Sequence, residues 1–78
     1  MNLRDIYTES GTRYRLDFTA GTVARFHGSP MRGDGNQIRM HWCGHVRVGD
    51  PLRIMLEPLG EGNFTFRTSS PIVRIVTI

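Results

Sequence analysis

The chain has 78 residues, of which 38% are hydrophobic and 22% are charged, and its formal net charge at pH 7 is +3. A chain this short folds as one domain around a small core, which leaves little room for a deep substrate pocket. Its single cysteine excludes an intrachain disulfide, and no apolar run reaches the ~20 residues that a membrane span needs.

The N-terminal part of the chain predicts a β-hairpin. Its strands, Ile6–Thr8 and Thr12–Phe18, flank Gly11, a residue that tolerates the positive φ of a tight turn. Polar and apolar residues alternate in the second strand, which indicates one buried and one exposed face. The face that we expect in the core consists of Tyr14, Leu16 and Phe18.

A third strand is predicted at Thr22–His27, with Ala24 and Phe26 pointing inward and Val23 and Arg25 pointing outward. The next segment, Gly28–Asn36, contains one proline and three glycines, which disfavour regular structure, so we expect a mobile loop there. Loops on a rigid scaffold often carry function. The loop residues that we select as a candidate contact site are Met31, Arg32 and Asp34.

The most regular pattern of the sequence runs from Ile38 to Val48 and predicts a long, half-buried strand. Its inward residues are expected to be Met40, Trp42, Val46 and Val48. Its outward residues are expected to be Arg39, His41, Cys43, His45 and Arg47. This outward face, together with the neighbouring loop, is the candidate partner-binding surface.

Three more segments complete the predicted sheet. After a turn at Gly49–Pro51, a strand is expected with one apolar face, formed by Leu52, Ile54 and Leu56. The next strand has an inner face expected to contain Phe64, Phe66 and Thr68. The last segment, Ile72–Ile78, is apolar on both sides, which predicts burial on both sides. It either closes a barrel or pairs with a second copy of the chain.

Six or seven short strands without helical periodicity predict an all-β fold for residues 1–78. At this length we expect a single small barrel of mostly antiparallel strands, either SH3-like or OB-like.

The side chains of His41, Cys43 and His45 are those of a zinc site, but the predicted spacing separates them. The two histidines would lie ~13 Å apart along one strand, too far to share an ion. Cys43 beside a histidine is also typical of a nucleophile, yet the sequence shows neither an oxyanion hole nor a substrate pocket. We therefore expect no catalytic residue, no cofactor and no metal, and a protein that is not an enzyme.

Binding of nucleic acid is the main alternative to binding of a protein. All ten basic residues are arginines, and small barrels bind single strands where arginines and exposed aromatic rings share a face. The predicted arrangement places most rings in the core, which leaves only Tyr7 and the strand histidines for stacking. A further alternative is a homo-oligomeric virion or assembly component that pairs through its C-terminal strand.

Three segments carry a resemblance to a known group of proteins. They are SGTRYRLDF (Ser10–Phe18), VGDPLRIM (Val48–Met55) and TSSPIVRI (Thr68–Ile75). Their order and spacing resemble those of small uncharacterised proteins of actinobacterial bacteriophages, in which a Ser-Gly-Thr-x-Tyr hairpin and a Thr-Ser-Pro-Val segment recur. The resemblance implies a small β protein made in an infected cell. Because the first residues also lack the pattern of a signal peptide, we expect it in the host cytoplasm, bound to a host or phage protein.

Overall fold

The computed structural model describes residues 2–26, 37–58 and 64–78, which form a closed barrel of six strands. The strands are β1 (Leu3–Thr8), β2 (Arg13–Asp17), β3 (Thr22–Phe26), β4 (Ile38–Cys43), β5 (Pro51–Leu56) and β6 (Thr65–Thr77). Each strand is antiparallel to its two neighbours, and β6 closes the barrel by pairing with β1. The predicted small all-β barrel is therefore confirmed.

The strands follow one another around the barrel in sequence order. An OB fold has Greek-key connections instead, so the OB-like alternative does not describe this barrel. Within the described ranges the chain contains no helix that is long and apolar enough to cross a membrane.

Two glycines with positive φ set the turns that the sequence predicts. Gly11 has a φ of 88°, and its N–H donates to the Thr8 carbonyl at 3.0 Å, which closes the hairpin between β1 and β2. Gly49 has a φ of 97° before β5, and its N–H donates to the Ile72 carbonyl at 2.8 Å. The second turn is thereby fixed to β6 as well as to its own strand.

Strand β6 has 13 residues because it serves two neighbours. Its first part pairs with β5, and its second part pairs with β1. The register is irregular near Pro71, which has no N–H to donate, and there the Leu52 N–H donates to the Ser69 hydroxyl at 2.8 Å. This strand therefore closes the barrel, as one of the two sequence alternatives predicted; Val73 and Ile78 remain exposed, so burial on both sides is wrong.

The core is small and mostly aliphatic. Its buried members are Ile6, Tyr14, Leu16, Val23, Leu52, Ile54, Leu56 and Ile72. The inward faces predicted for β5 and for Tyr14 and Leu16 of β2 are confirmed, because strict alternation persists in both strands. Strand β3 faces the opposite way from the prediction: Val23 belongs to the core, whereas Phe26 pairs with the outward Arg13. Ala24 is buried, as expected, but pairs with the outward Arg15.

Most of the aromatic rings that were expected in the core lie outside it. The exposed fraction is 39% for Phe18, 50% for Phe64 and 70% for Phe66, and Thr68 is exposed as well. A barrel of six strands encloses a narrow interior, since the diameter of a barrel grows with its number of strands. Branched aliphatic side chains fill this interior, so bulky rings are displaced to the surface.

Asp5 is a buried carboxylate on the outer side of the barrel. Arg15 donates to it from Nε to Oδ1 at 2.8 Å and from Nη2 to Oδ2 at 3.0 Å, and Arg13 Nη1 lies 3.5 Å from Oδ2. The hydrogen bonds from Arg15 lower the pKa of Asp5 below its ordinary value, with a smaller opposing effect of burial. Asp5 thus joins β1 to β2 through a charge-assisted pair.

Replacing Asp5 with asparagine is expected to lower the free energy of unfolding at pH 7 by about 1–2 kcal/mol, measured by urea denaturation. A neutral amide cannot replace the charged, bidentate acceptor, but the 40% exposure of Arg15 limits the loss. Because the pKa of Asp5 is lower in the folded state than in the unfolded state, its contribution is present above pH ~4 and is lost as the pH falls through the folded value.

The Asp5→Asn variant should therefore lose less stability than the natural protein between neutral and acidic pH. Glu57→Gln, which removes an exposed carboxylate, serves as the control and should follow the natural profile. Parallel pH profiles for the natural protein and the Asp5 variant would contradict this role of Asp5.

Candidate nucleic-acid interface

A one-residue irregularity in β4 reverses the direction of its side chains. Met40 pairs with Leu56 and Trp42 pairs with Met55, so His41 is an extra residue that β5 does not match. Such a β-bulge shifts the following residues by one position, and a shift of one position exchanges the two faces of a strand. Trp42 and Cys43, the two strand residues after His41, therefore point the opposite way from the prediction.

The predicted face of β4 is accordingly wrong in two places. Trp42, expected in the core, is 47% exposed, and Cys43, expected outside, packs against the core. Strand β4 also ends at Cys43 rather than at Val48. Val48 was expected inside but is exposed. Val46 packs against the core, as expected.

The remaining residues of the predicted contact surface do not form one strand face. Arg39 and His41 are exposed within β4, whereas His45 and Arg47 are exposed in the segment that follows the strand. The loop residues Met31, Arg32 and Asp34 lie outside the described residues. Their predicted role in binding a partner remains a prediction.

The environment of Cys43 disfavours the thiolate. Burial raises the pKa of its thiol, with a smaller opposing effect from Arg4, and its Sγ donates to the Gly44 carbonyl at 3.4 Å. A thiolate is the form that attacks a substrate or binds a metal. In the parts of the chain that the structure describes, no three histidine, cysteine or acidic side chains are placed to hold a metal ion.

The bulge creates a row of apolar side chains on the outer face of β4, β5 and β6. Trp42 pairs with Met55, and Met55 pairs with Phe66. We call these three residues the Trp42 row. Neighbouring strands lie about 4.8 Å apart, so the two aromatic residues are separated by about 10 Å with the methionine between them. The row therefore offers two exposed rings on a rigid sheet.

A second aromatic contact extends this surface. The rings of His41 and Phe64 meet edge to face, with 4.7 Å between their centroids and an angle of 64° between their planes. His41 precedes Trp42 in β4, and Phe64 lies just before β6, two residues from Phe66. This ring pair therefore links the residue before Trp42 to the segment that precedes β6.

Rings elsewhere on the barrel are covered by arginines. Arg4 lies over Phe18, Arg13 over Phe26 and Arg74 over Tyr7, with 5.6, 4.4 and 5.6 Å between the guanidinium carbon and the ring centroid. In cation–π contacts of this kind, a guanidinium group of the protein itself occupies the face of the ring. The rings of the Trp42 row have no such cover among the described residues, so their faces are open to a ligand.

A shallow cleft of about 280 Å³ lies beside Trp42. It is lined by Trp42, Gly44, His45, Asp50, Pro51 and Arg53. A Cβ atom at position 44 would lie 3.2 Å from Cη2 of Trp42, so the indole lies directly against Gly44. The Gly44 N–H donates to the Arg53 carbonyl at 2.8 Å, which fixes this wall of the cleft to β5.

The cleft contains both signs of charge. Arg47 Nε donates to Asp50 Oδ2 at 2.9 Å, and the Asp50 N–H donates to the Arg47 carbonyl at 3.1 Å. Arg53 is exposed on the same outer face as Met55, two residues away along β5. The arrangement therefore combines an open indole, an oriented carboxylate and a guanidinium group.

Apart from His45, the sequence pattern did not indicate the residues that form the cleft and the Trp42 row. The missed residues are Trp42, Gly44, Asp50, Pro51, Arg53, Met55 and Phe66, several of which had been assigned to the core or to a turn. One signal was present, since a glycine inside an alternating strand pattern is typical of a bulge or of a close approach to other groups. Gly44 interrupts the pattern at that point.

Replacing Gly44 with alanine is expected to displace the indole of Trp42, because the new methyl group would stand closer to the ring than ordinary van der Waals contact allows. Trp42 is the only tryptophan, so intrinsic fluorescence reports on this ring alone. We expect the emission maximum to move to longer wavelength while the far-ultraviolet circular dichroism of the barrel is retained. The control Val48→Ala changes an exposed residue nearby and should leave the spectrum unchanged; an unchanged spectrum in Gly44→Ala would contradict the packing described.

Comparison with known proteins identifies no relative. No protein-family model, no curated protein and no solved structure matches the chain. The resemblance to small actinobacteriophage proteins remains a prediction, and function must be inferred from the geometry of the surface.

Proposed function

We propose that this barrel is a non-enzymatic binding protein whose ligand is single-stranded nucleic acid, held by stacking of bases on the Trp42 row. The observation that carries the proposal is the exposure of Trp42 and Phe66 on one outer sheet face. Large exposed apolar groups on a small protein mark an interaction site. Small barrels bind single strands by this means, and each stacked base contributes ~1–3 kcal/mol of binding free energy.

The charges near the row support the same ligand. The chain carries a net charge of +3, and Arg53 is exposed on the same outer face of β5 as Met55. Within the described residues the Arg53 side chain forms no ion pair, so its guanidinium group is available to a phosphate. Rings for bases and cations for phosphates are the two components of a single-strand groove.

A host or phage protein is the second candidate partner. The feature that favours it is the apolar character of the Trp42 row, because aromatic residues and methionine are enriched at the centres of protein interfaces. Self-association through β6 is a third candidate, favoured by the exposed Val73 and Ile78. The dependence of binding on salt separates the first candidate from the other two.

The proposed setting is the cytoplasm of a bacterial host cell that carries a phage. It rests on the resemblance of the three segments to small phage proteins and on the single cysteine, which fits a reducing compartment.

Replacing Phe66 with alanine is expected to weaken the binding of an unstructured, labelled oligothymidine about tenfold, measured by fluorescence anisotropy, because one stacking platform is removed. Val73→Ala, which removes an exposed apolar side chain from the other part of β6, is the matched control and should bind like the natural protein. Equal affinities for the two variants, or no binding of the oligonucleotide by the natural protein, would refute the proposal.

Replacing Arg53 with glutamine should reduce the salt dependence of this binding. Each phosphate contact on a single strand contributes about −0.7 to the slope of log K against log salt concentration. We expect the slope to become less negative by about that amount in Arg53→Gln. Arg74 lies where β6 pairs with β1 and is stacked on Tyr7, so Arg74→Gln should leave the slope unchanged. A natural protein whose affinity does not respond to salt would instead favour a protein partner.

A further inference from the structure

We propose that the cleft beside Trp42 holds one guanine base of the bound strand, stacked on the indole and hydrogen-bonded to the Asp50 carboxylate. This inference rests on the proposed function, since it assigns a base preference to the same surface.

The size of the cleft suits a single base. Its volume is about 280 Å³, just below that of ligand sites for larger molecules, which usually measure about 300–1,000 Å³. Its walls combine the indole of Trp42 and the apolar ring of Pro51 with a few polar groups, as expected of a site that orients a flat aromatic ligand.

The chemistry of Asp50 selects among the bases. An ionised carboxylate only accepts hydrogen bonds, so it favours the base that presents the most neighbouring donors. Guanine presents two, N1–H and the N2 amino group, along its Watson–Crick edge. Adenine and cytosine each present one amino group beside a ring nitrogen acceptor, and thymine presents one N–H between two carbonyl oxygens. Guanine is therefore the base that a carboxylate in this cleft binds best.

The recognition groups are held in place by the protein. The hydrogen bond from Arg47 engages Oδ2 of Asp50, and Oδ1 makes no hydrogen bond within the described ranges. The indole of Trp42 lies against Gly44, a position where any side chain would crowd it. Since both groups are oriented before a ligand arrives, little conformational entropy is lost when a base enters.

Arg53 completes the site as the cation on the cleft wall. Its backbone carbonyl accepts the Gly44 N–H at 2.8 Å, so the residue is fixed to the same segment that carries Trp42. The exposed guanidinium group can pair with the phosphate that flanks the bound base. A base, its phosphate and the next base on Phe66 would thus follow one path across β4, β5 and β6.

The test uses the full chain and oligothymidines of about ten nucleotides, within the roughly 4–16 nucleotides that one small barrel covers. Each oligonucleotide carries one central guanine, adenine or cytosine, or thymine throughout, and quenching of Trp42 fluorescence gives the affinity. We expect the guanine oligonucleotide to bind roughly tenfold more tightly than the other three. Equal affinities of the four oligonucleotides would overturn the inference.

Two further measurements assign the preference to the carboxylate. Asp50→Asn should bind the thymine oligonucleotide like the natural protein but lose the preference for guanine, whereas the control Glu57→Gln should retain it. Replacing the central guanine by hypoxanthine, which lacks the N2 amino group, should remove most of the preference in the natural protein without any change to its fold. Retention of the preference in either case would overturn the inference.

The failure of this inference is distinguishable from the failure of the proposed function. If the four oligonucleotides bind equally and Phe66→Ala weakens all of them, the nucleic-acid interface stands and the guanine site is wrong. If none of them binds or quenches Trp42, both proposals are wrong.

Discussion

The bulge at His41 is the feature on which the rest of the surface depends. An extra residue in β4 turns Cys43 toward Ile54 in the core and turns Trp42 toward solvent. Without it, regular alternation from Met40 onward would carry the indole into the barrel and leave the sulfur outside. The Trp42 row, the cleft beside it and the proposed binding of a base all follow from this one change of register.

The narrow interior of the barrel explains why the bulge is stable. The core is filled by aliphatic side chains and a single ring, that of Tyr14, so an indole would exceed the available space while a cysteine fits beside Ile54. The rings at the surface fall into two groups. Arginines cover the ring on β3 and those of Tyr7 on β1 and Phe18 just after β2, whereas Trp42 and Phe66 keep open faces. This asymmetry distinguishes the side of the barrel to which we assign the proposed binding.

The sequence predicted the features that depend on neighbouring residues, such as turns and strand alternation. It did not predict the facing of side chains that depends on pairing between strands of the closed barrel. The hairpin at Gly11, the turn at Gly49 and the inward face of β5 follow from glycine conformation and strict alternation, and all three are confirmed. The direction of Phe26 depends on its pairing with Arg13, and that of Phe66 on its pairing with Met55, neither of which can be read from one strand. Hydrophobicity alone placed these rings inside, although the volume of a six-stranded barrel does not admit them.

Acrylamide quenching of the single tryptophan tests the reversed facing of β4 most directly. With Trp42 about half exposed on the outer face, the quenching constant of the native protein should be a large fraction of that of the urea-unfolded chain, and emission should lie between the wavelengths of a buried and a fully solvated indole. A native tryptophan that emits at short wavelength and resists acrylamide until the barrel unfolds would place Trp42 in the core and contradict the account.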